Sequence, residues 1–256
     1  MNKWKESELV RSLVGFFLLF LLFIGLFIFV VPSTHQSSKI AEKIKSIKNE
    51  KVTYVAIGDS LTQGVGDSSN QGGFVPVLSQ ALESDFDWQV TSRNYGIAGN
   101  TSNQILKRVQ EKKDIQRDLK KAKVMTLTVG GNDVIHVIKD NITNLNVDTF
   151  TKPAQAYQKR LGQIIELARK DNKTLPIYIV GIYNPFYLNF PEMTEMQTIV
   201  DNWNQSTEEV CKKYDNVYFV PVNDLLYKGI DGKGGVTSSD DTSQSSNSSQ
   251  GSLNDA

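Results

Sequence analysis

Three short glycine-containing segments carry groups that suit acyl-transfer chemistry. Ser60, Gly99 and Asn132 lie in the segments GDSLTQG, GIAGN and GGND. A serine hydroxyl becomes a nucleophile when a neighbouring base takes its proton. The backbone N–H groups of Ser60 and Gly99 and the side-chain amide of Asn132 are donors of the kind that stabilise a developing oxyanion. These three residues are therefore the candidate catalytic set.

Each segment taken alone has a simpler interpretation. Gly-Asp-Ser after a strand and Gly-Gly-Asn-Asp are both ordinary turn sequences. The glycine-rich stretch Gly58–Gly66 also suits a phosphate-binding loop, but it lacks the G-K-[ST] ending and the G-x-G-x-x-G pattern of such loops. The acyl-transfer interpretation depends on the combination of the three segments.

The elements that must position these residues follow an alternating pattern. From Val52 onward, apolar runs of strand length alternate with longer stretches of helical periodicity. The predicted strands are Val52–Ile57, Gln89–Tyr95, Val124–Val129, Pro176–Ile182 and Val217–Val222. The predicted helices are Phe74–Leu82, Thr101–Val109, Pro153–Arg169 and Glu192–Tyr214. This alternation predicts a parallel sheet with helices on both faces.

The three candidate segments all follow predicted strands directly. Ser60 comes after the first strand, Gly99 after the second and Asn132 after the third. Open parallel sheets bind ligands beyond the carboxyl ends of their strands. We therefore expect the three residues to meet at one edge of the sheet.

The longer blocks GDSLTQGVGD, NYGIAGNTS and VGGNDV resemble, in this order, the first three sequence blocks of the SGNH/GDSL hydrolase family. The resemblance covers about Val52 to Asp224 and is nearest to membrane-anchored lipase/acylhydrolase-like proteins of Gram-positive bacteria. It implies that Ser60 is the nucleophile and that Ser60, Gly99 and Asn132 donate to the oxyanion. It also implies an α/β fold, a flavodoxin-like three-layer α/β/α sandwich with a parallel sheet, and no metal or organic cofactor.

The resemblance also implies an Asp-x-x-His block near the C terminus, which supplies the general base and the acid that orients it. The sequence holds two histidines, His35 and His136, and none after His136. We expect His35 to lie beside a membrane and His136 to be a surface or packing residue. The expectation is therefore that this chain stops before the block, lacks the base and the final helix, and is inactive alone. The serine-rich segment 237–256 is expected to be disordered.

The N-terminal part of the sequence predicts a membrane anchor. Leu13–Val31 is a run of 19 residues without a charge, which nearly spans a hydrocarbon core of about 30 Å. Lys3, Lys5 and Arg11 precede it, so the positive-inside rule leaves residues 1–12 in the cytoplasm. The predicted organisation is a cytoplasmic N terminus (1–12), an uncleaved signal anchor (13–31), a juxtamembrane stalk (32–51) and an extracytoplasmic hydrolase domain (52–236).

The composition narrows the function classes further. Lys+Arg and Asp+Glu balance at 28 each, which gives no basic excess for nucleic-acid binding. The single cysteine, Cys211, excludes an internal disulfide and a multi-cysteine zinc site, and we interpret it as a packed or surface thiol.

Three functions remain open at this point, and the third of them is a membrane scaffold in which the oxyanion groups are an evolutionary remnant. The first is a serine esterase that acts on acyl or acetyl esters of lipids or cell-wall glycans at the outer membrane surface. The second is a non-catalytic exported module that binds a lipid or a wall glycan through the same cleft. The missing base is the feature that keeps the second possibility open.

Overall fold

A computed structural model of the chain describes residues 50–141, 143, 146–185 and 194–228. The predicted N-terminal segment, the anchor (13–31), nearly all of the stalk and the serine-rich segment (237–256) lie outside the described residues. Within the described ranges, no helix has the length and apolar character needed to cross a membrane.

The described residues fall into two compact units. One unit contains residues 51–85 and the chain from Gln89 onward, and it holds the sheet and the three candidate catalytic residues. The other unit includes Glu50 and Phe86–Trp88. There the rings of Phe86 and Trp88 stack with their centroids 4.8 Å apart.

A five-stranded parallel sheet forms the centre of the larger unit. Its strands are β1 (Lys51–Gly58), β2 (Gln89–Gly96), β3 (Ala122–Thr128), β4 (Ile177–Val180) and β5 (Val217–Val220). They are arranged in the order β2-β1-β3-β4-β5, and every neighbouring pair is parallel. This order is that of flavodoxin-like doubly wound sheets, in which the connection reverses direction between β1 and β3. The predicted flavodoxin-like α/β fold with a parallel sheet is confirmed.

Helices connect the strands. They are α1 (Ser60–Gln63), α2 (Phe74–Phe86), α3 (Ser102–Glu111), α4 (Lys113–Lys121), α5 (Gly131–Asp140), α6 (Thr151–Ala168), α7 (Thr194–Cys211) and α8 (Asn223–Lys228). A 3₁₀ turn at Val147–Phe150 precedes α6. Each strand and helix predicted from the sequence is present, with ends that differ by a few residues, whereas α1, α4, α5 and α8 were not predicted.

The larger part of the core lies on one face of the sheet. Successive residues of a strand point to opposite faces, and Val55 and Ile57 of β1 point to this one. There they join a single cluster with side chains of α3 to α7, among them Leu161 and Trp203, which are almost fully buried. The strands that carry the candidate residues are therefore fixed by a continuous apolar core.

The opposite face is covered less completely. Tyr54 and Ala56 of β1 pack there against Val75 and neighbouring side chains of α2. Farther along the sheet, Tyr178 of β4 and Tyr218 of β5 stack with centroids 5.1 Å apart and remain 37% and 45% exposed. Helices thus lie on both faces of the sheet, as predicted, and the described residues leave this part of β4 and β5 partly exposed.

The end of β2 lies directly against the backbone of α1. A Cβ atom on Gly96 would overlap the backbone nitrogen of Gln63 and approach the carbonyl carbon of Thr62. A residue without a side chain is therefore required where the loop after β2 meets the segment that carries Ser60.

We predict that Gly96→Ala destabilises the protein by about 3 kcal/mol, because the added methyl meets rigid backbone and α1 must move. The measurement is the free energy of unfolding from urea titrations. Gly66→Ala is the matched control, since its Cβ would meet nothing within 4 Å and only its φ of +88° is unfavourable. That strain costs about 1–2 kcal/mol. A loss in Gly96→Ala no larger than in Gly66→Ala would contradict the close approach.

Candidate active site

Ser60 lies immediately beyond the carboxyl end of β1. The preceding residue, Asp59, caps the short helix α1, and its Oδ1 accepts a hydrogen bond from the N–H of Leu61 at 3.1 Å. Ser60 itself is half-buried. Its hydroxyl makes no hydrogen bond with any other described residue, so it is available to a ligand.

A buried group of hydroxyls joins the ends of β1 and β3 beneath Ser60. The hydroxyl of Thr128 donates to Asp59 Oδ1 at 2.8 Å and accepts from the N–H of Asp59 at 3.2 Å. The hydroxyl of Thr62 lies 2.8 Å from that of Thr128. Thr62, Thr128 and Asp59 are all buried. These bonds involve Asp59, just before Ser60, and Thr62, two residues after it. They therefore fix the position of the Ser60 backbone.

Asp59 is a buried carboxyl that forms no ion pair with any residue the structure describes. Burial raises its pKa above the usual value, against the opposing effect of the hydrogen bonds from Thr128 and Leu61. The negative charge of Asp133 adds a smaller contribution in the same direction. By accepting from the N–H of Leu61, Asp59 also holds the loop that carries Ser60.

The loop that contains Gly99 is attached to both of the other segments. The N–H of Ile97 donates to Gly58 O at 3.0 Å, and that of Ala98 donates to Gln63 Oε1 at 2.6 Å. Gly99 follows with a φ of +78° and lies exposed, with nothing within 4 Å of where a Cβ would be. The positive φ explains a glycine here. The open space on its side leaves room for an incoming ligand.

Asn132 connects the third segment to this loop. Its Nδ2 donates to the carbonyl oxygen of Asn100 at 3.0 Å. An amide nitrogen carries two hydrogens, so one remains for a ligand. Asn132 lies in the first turn of α5, which begins after Gly130 at a φ of +112°. A Cβ on Gly130 would press against the indole of Trp203, which makes glycine necessary there.

A partly buried group of Asp133, Ser102 and Arg160 joins α5, α3 and α6 beside the loop. Asp133 accepts from the N–H of Ser102 at 2.8 Å and from its hydroxyl at 2.5 Å. Arg160 of α6 donates to Ser102 Oγ at 2.7 Å and lies 3.2 Å from Asp133 Oδ1. Asp133 thus holds the start of α3 by accepting from the N–H of Ser102. Arg160, which the sequence did not single out, completes the pairing of a carboxylate that is only 7% exposed.

A cavity of about 150 Å³ opens beside Ser60. Its polar lining comprises Asp59, Ser60, Thr128, Asn132 and Tyr183. Its apolar lining includes Val134, Ile135, Ile138, Ile182, Met196 and Val200. Two of the three candidate residues, Ser60 and Asn132, thus border one cavity, whereas Gly99 does not line it and joins the site through the bonded loop. Their catalytic roles stay predictions.

His136 does not complete the site. With Asp133 it has Asp-x-x-His spacing, but the carboxylate of Asp133 is engaged by Ser102 and Arg160. His136 itself is exposed on α5 and is not among the residues that line the cavity. The interpretation of His136 as a surface residue is therefore confirmed, and the described residues offer Ser60 no imidazole base.

Cys211 is not among the residues that line the cavity. Cys211 is buried at the end of α7, as expected for a packed thiol, and burial raises its pKa to about 11. Across the described ranges, His, Cys, Asp and Glu form no group of three that suits a metal ion.

Comparison with known sequences identifies the class of protein. Residues 56–241 match the GDSL-like Lipase/Acylhydrolase family, and the chain belongs to this family. It is 32% identical over 201 residues to the uncharacterized protein YpmR of Bacillus subtilis, covering 78% of each chain. It is also 30% identical over 183 residues to the spore germination lipase LipC of Bacillus licheniformis, covering 69% of this chain and 82% of LipC.

A solved structure supports the fold. The lipase Lip_vut3 from a goat rumen metagenome superposes with a TM-score of 0.61 at 22% sequence identity. The match covers 71% of this chain and 88% of Lip_vut3. The α/β architecture with a parallel sheet is thus shared with a protein described as a lipase.

We predict that Asp59 makes the protein less stable as the pH rises. Because its native pKa is raised, the folded protein keeps a proton at pH values where the unfolded chain, with a pKa near 3.9, has lost it. The free energy of unfolding therefore falls between that value and the native pKa. In Asp59→Asn this loss is absent, so the variant should gain stability relative to the native chain as the pH rises from about 4.

Urea titrations across this pH range measure the difference between the two proteins. Asp85→Asn, which removes an exposed carboxylate from α2, controls for the change in net charge. A difference that stays constant with pH, or that shifts in favour of the native chain as the pH rises, would show that Asp59 is not held protonated by burial.

Proposed function

We propose that this chain is the ester-binding and acyl-transfer part of a serine esterase in which Ser60 is the nucleophile. The observation that carries the proposal is that a free, half-buried serine hydroxyl and a side-chain amide with an uncommitted hydrogen border the same cavity. Membership of a lipase and acylhydrolase family supports the same reaction.

The proposed reaction has two stages. Ser60 Oγ attacks the ester carbonyl while a base takes its proton, and the carbonyl oxygen becomes an oxyanion. The N–H groups of Ser60 and Gly99 and the free hydrogen of Asn132 Nδ2 stabilise this charge. Collapse expels the alcohol, which receives the proton from the base. Water then attacks the acyl group on Ser60 with help from the same base and releases a carboxylic acid.

The base is the component that the described residues do not supply. His136 is exposed and lies off the cavity, and a serine without a base is a weak nucleophile at neutral pH. We propose that the 256-residue chain binds esters but hydrolyses them very slowly until a base is added. The lack of a base among the described residues also favours the alternative function. In that case the chain is a module that binds an ester-containing lipid or wall glycan without turnover.

An added base separates the two functions. We predict that imidazole makes the 256-residue chain hydrolyse p-nitrophenyl butyrate faster than the Ser60→Ala variant does under the same conditions. The expected excess is at least tenfold, since a positioned general base contributes about 10²–10⁴-fold and a diffusing one recovers part of that. Release of p-nitrophenol is the measurement, and the Ser60→Ala sample accounts for hydrolysis by imidazole itself.

Ser84→Ala, which changes an exposed serine of α2, is the matched control and should behave as the native chain. Equal rates for the native chain and Ser60→Ala at every imidazole concentration would remove Ser60 as the nucleophile. If the ester nevertheless binds, the non-catalytic module becomes the better account.

We further propose that the domain acts at the outer face of the cytoplasmic membrane. The support is the uncharged run Leu13–Val31 with Lys3, Lys5 and Arg11 before it. This position favours acyl or acetyl esters of lipids or cell-wall glycans as substrates, and LipC, to which the chain is similar, is named a spore germination lipase.

We predict that the native chain stays in the membrane pellet after an alkaline carbonate wash of cell membranes. Leu22→Arg places a charge near the centre of the run, which costs about 2.5–3.5 kcal/mol for insertion, and should shift part of the protein to the supernatant. Leu225→Arg, at an exposed position of α8, controls for the added charge. Equal release of all three proteins would contradict the anchor.

A further inference from the structure

The cavity beside Ser60 has polar groups next to the serine and a wall that is apolar except at Tyr183. Ser60, Asn132 and Asp59 provide the polar groups, and the first two are the proposed contacts of the ester carbonyl. The apolar wall comes from α5, from Ile182 after β4 and from α7. A ligand that fills it must therefore have a polar end next to Ser60 and a hydrocarbon part beyond it.

The wall selects against a sugar in this part of the site. Val134, Ile182, Met196 and Val200 are each 8% exposed or less and present no hydrogen-bonding groups. Hydroxyl groups placed against them would lose their bonds to water without replacement, which costs free energy for each group. The group that fits is the acyl chain of the ester.

The size of the cavity limits the length of that chain. A protein cavity of about 150 Å³ lined by aliphatic side chains accommodates benzene, a ligand of about six carbons. An acetyl group would leave most of the present cavity empty, and a long fatty acyl chain would not fit within it. The volume therefore corresponds to a chain of about four to six carbons.

Two side chains are placed to set this limit. Ile138 lies six residues beyond Asn132 on α5, which is about 9 Å along the helix axis. Ile138 thus borders the cavity more than one helical turn away from Asn132. Met196 borders it from the first turn of α7 and is 5% exposed. Shortening either side chain would enlarge the apolar part of the cavity.

We propose that this cavity binds the acyl chain of a short-chain ester, about four to six carbons long, and that Ile138 and Met196 set the upper limit. This inference rests on the proposed function, because it takes Ser60 and Asn132 as the contacts of the ester carbonyl. It narrows the substrate from acyl or acetyl esters in general to short-chain acyl esters.

Binding of uncleavable analogues tests the cavity separately from catalysis. The probes are N-methyl amides of acetic, butyric, hexanoic and decanoic acid, titrated into the full 256-residue chain and followed by NMR. Affinity should rise about fourfold for each methylene buried, up to the hexanoyl chain, and then stop rising. The Met196→Ala and Ile138→Ala variants should bind the decanoyl probe at least fivefold more tightly than the native chain does.

Val77→Ala, at an exposed position of α2, is the matched control. Each variant is compared with the native chain for the same probe, so the general tendency of longer probes to leave water does not affect the ratio of the two affinities. Ile138 is only partly buried, so its variant keeps the test decisive if Met196→Ala does not fold.

Equal affinities for the acetyl and hexanoyl probes, or an affinity that continues to rise up to the decanoyl probe in the native chain, would overturn the proposal. If binding depends on chain length but turnover does not depend on Ser60, the cavity assignment stands and the esterase is rejected. If turnover depends on Ser60 but binding does not depend on chain length, only the cavity assignment is rejected.

Discussion

The site depends on the hydrogen bonds that Thr128 makes to Asp59 where two parallel strands end side by side. A hydroxyl on β3 donates to the carboxyl and accepts from the N–H of the residue that follows β1. Both groups are buried, so breaking these bonds would leave polar atoms without partners at a cost of about 1–3 kcal/mol each. Ser60 is the next residue, and its position follows from this pairing.

The rest of the site extends outward from that point through bonds between loops. Gln63 and Asn132 each hold one end of the loop around Gly99, which has little packing of its own. The pair formed by Asp133 and Arg160 then fixes the helices that follow. Oxyanion stabilisation requires donors that are already in place before the reaction. A network of this kind supplies that rigidity without placing the donors in the apolar core.

The sequence predicts the strands and the three catalytic candidates because their signals are local. β-Branched runs mark β1 and β3, and glycines mark the turns that follow them. The helix α4 was missed because Ile115 and Leu119 are its only apolar side chains among charged ones, a pattern too sparse to recognise without the core they contact. Arg160 was missed for a related reason, since its partner Asp133 is 27 residues away in the chain and only the fold brings them together. The walls of the cavity likewise come from separate elements, so its size has no signature in the sequence.

The central claim is that Ser60 is a nucleophile held beside oxyanion donors, and covalent labelling tests it most directly. The full chain would be treated with a short alkyl fluorophosphonate in imidazole buffer, digested, and mapped by mass spectrometry. Phosphonylation of a serine needs an activated hydroxyl and donors for the phosphonyl oxygen. The account predicts one adduct, on Ser60. Labelling spread over exposed serines, with Ser60 no more modified than the others, would contradict it.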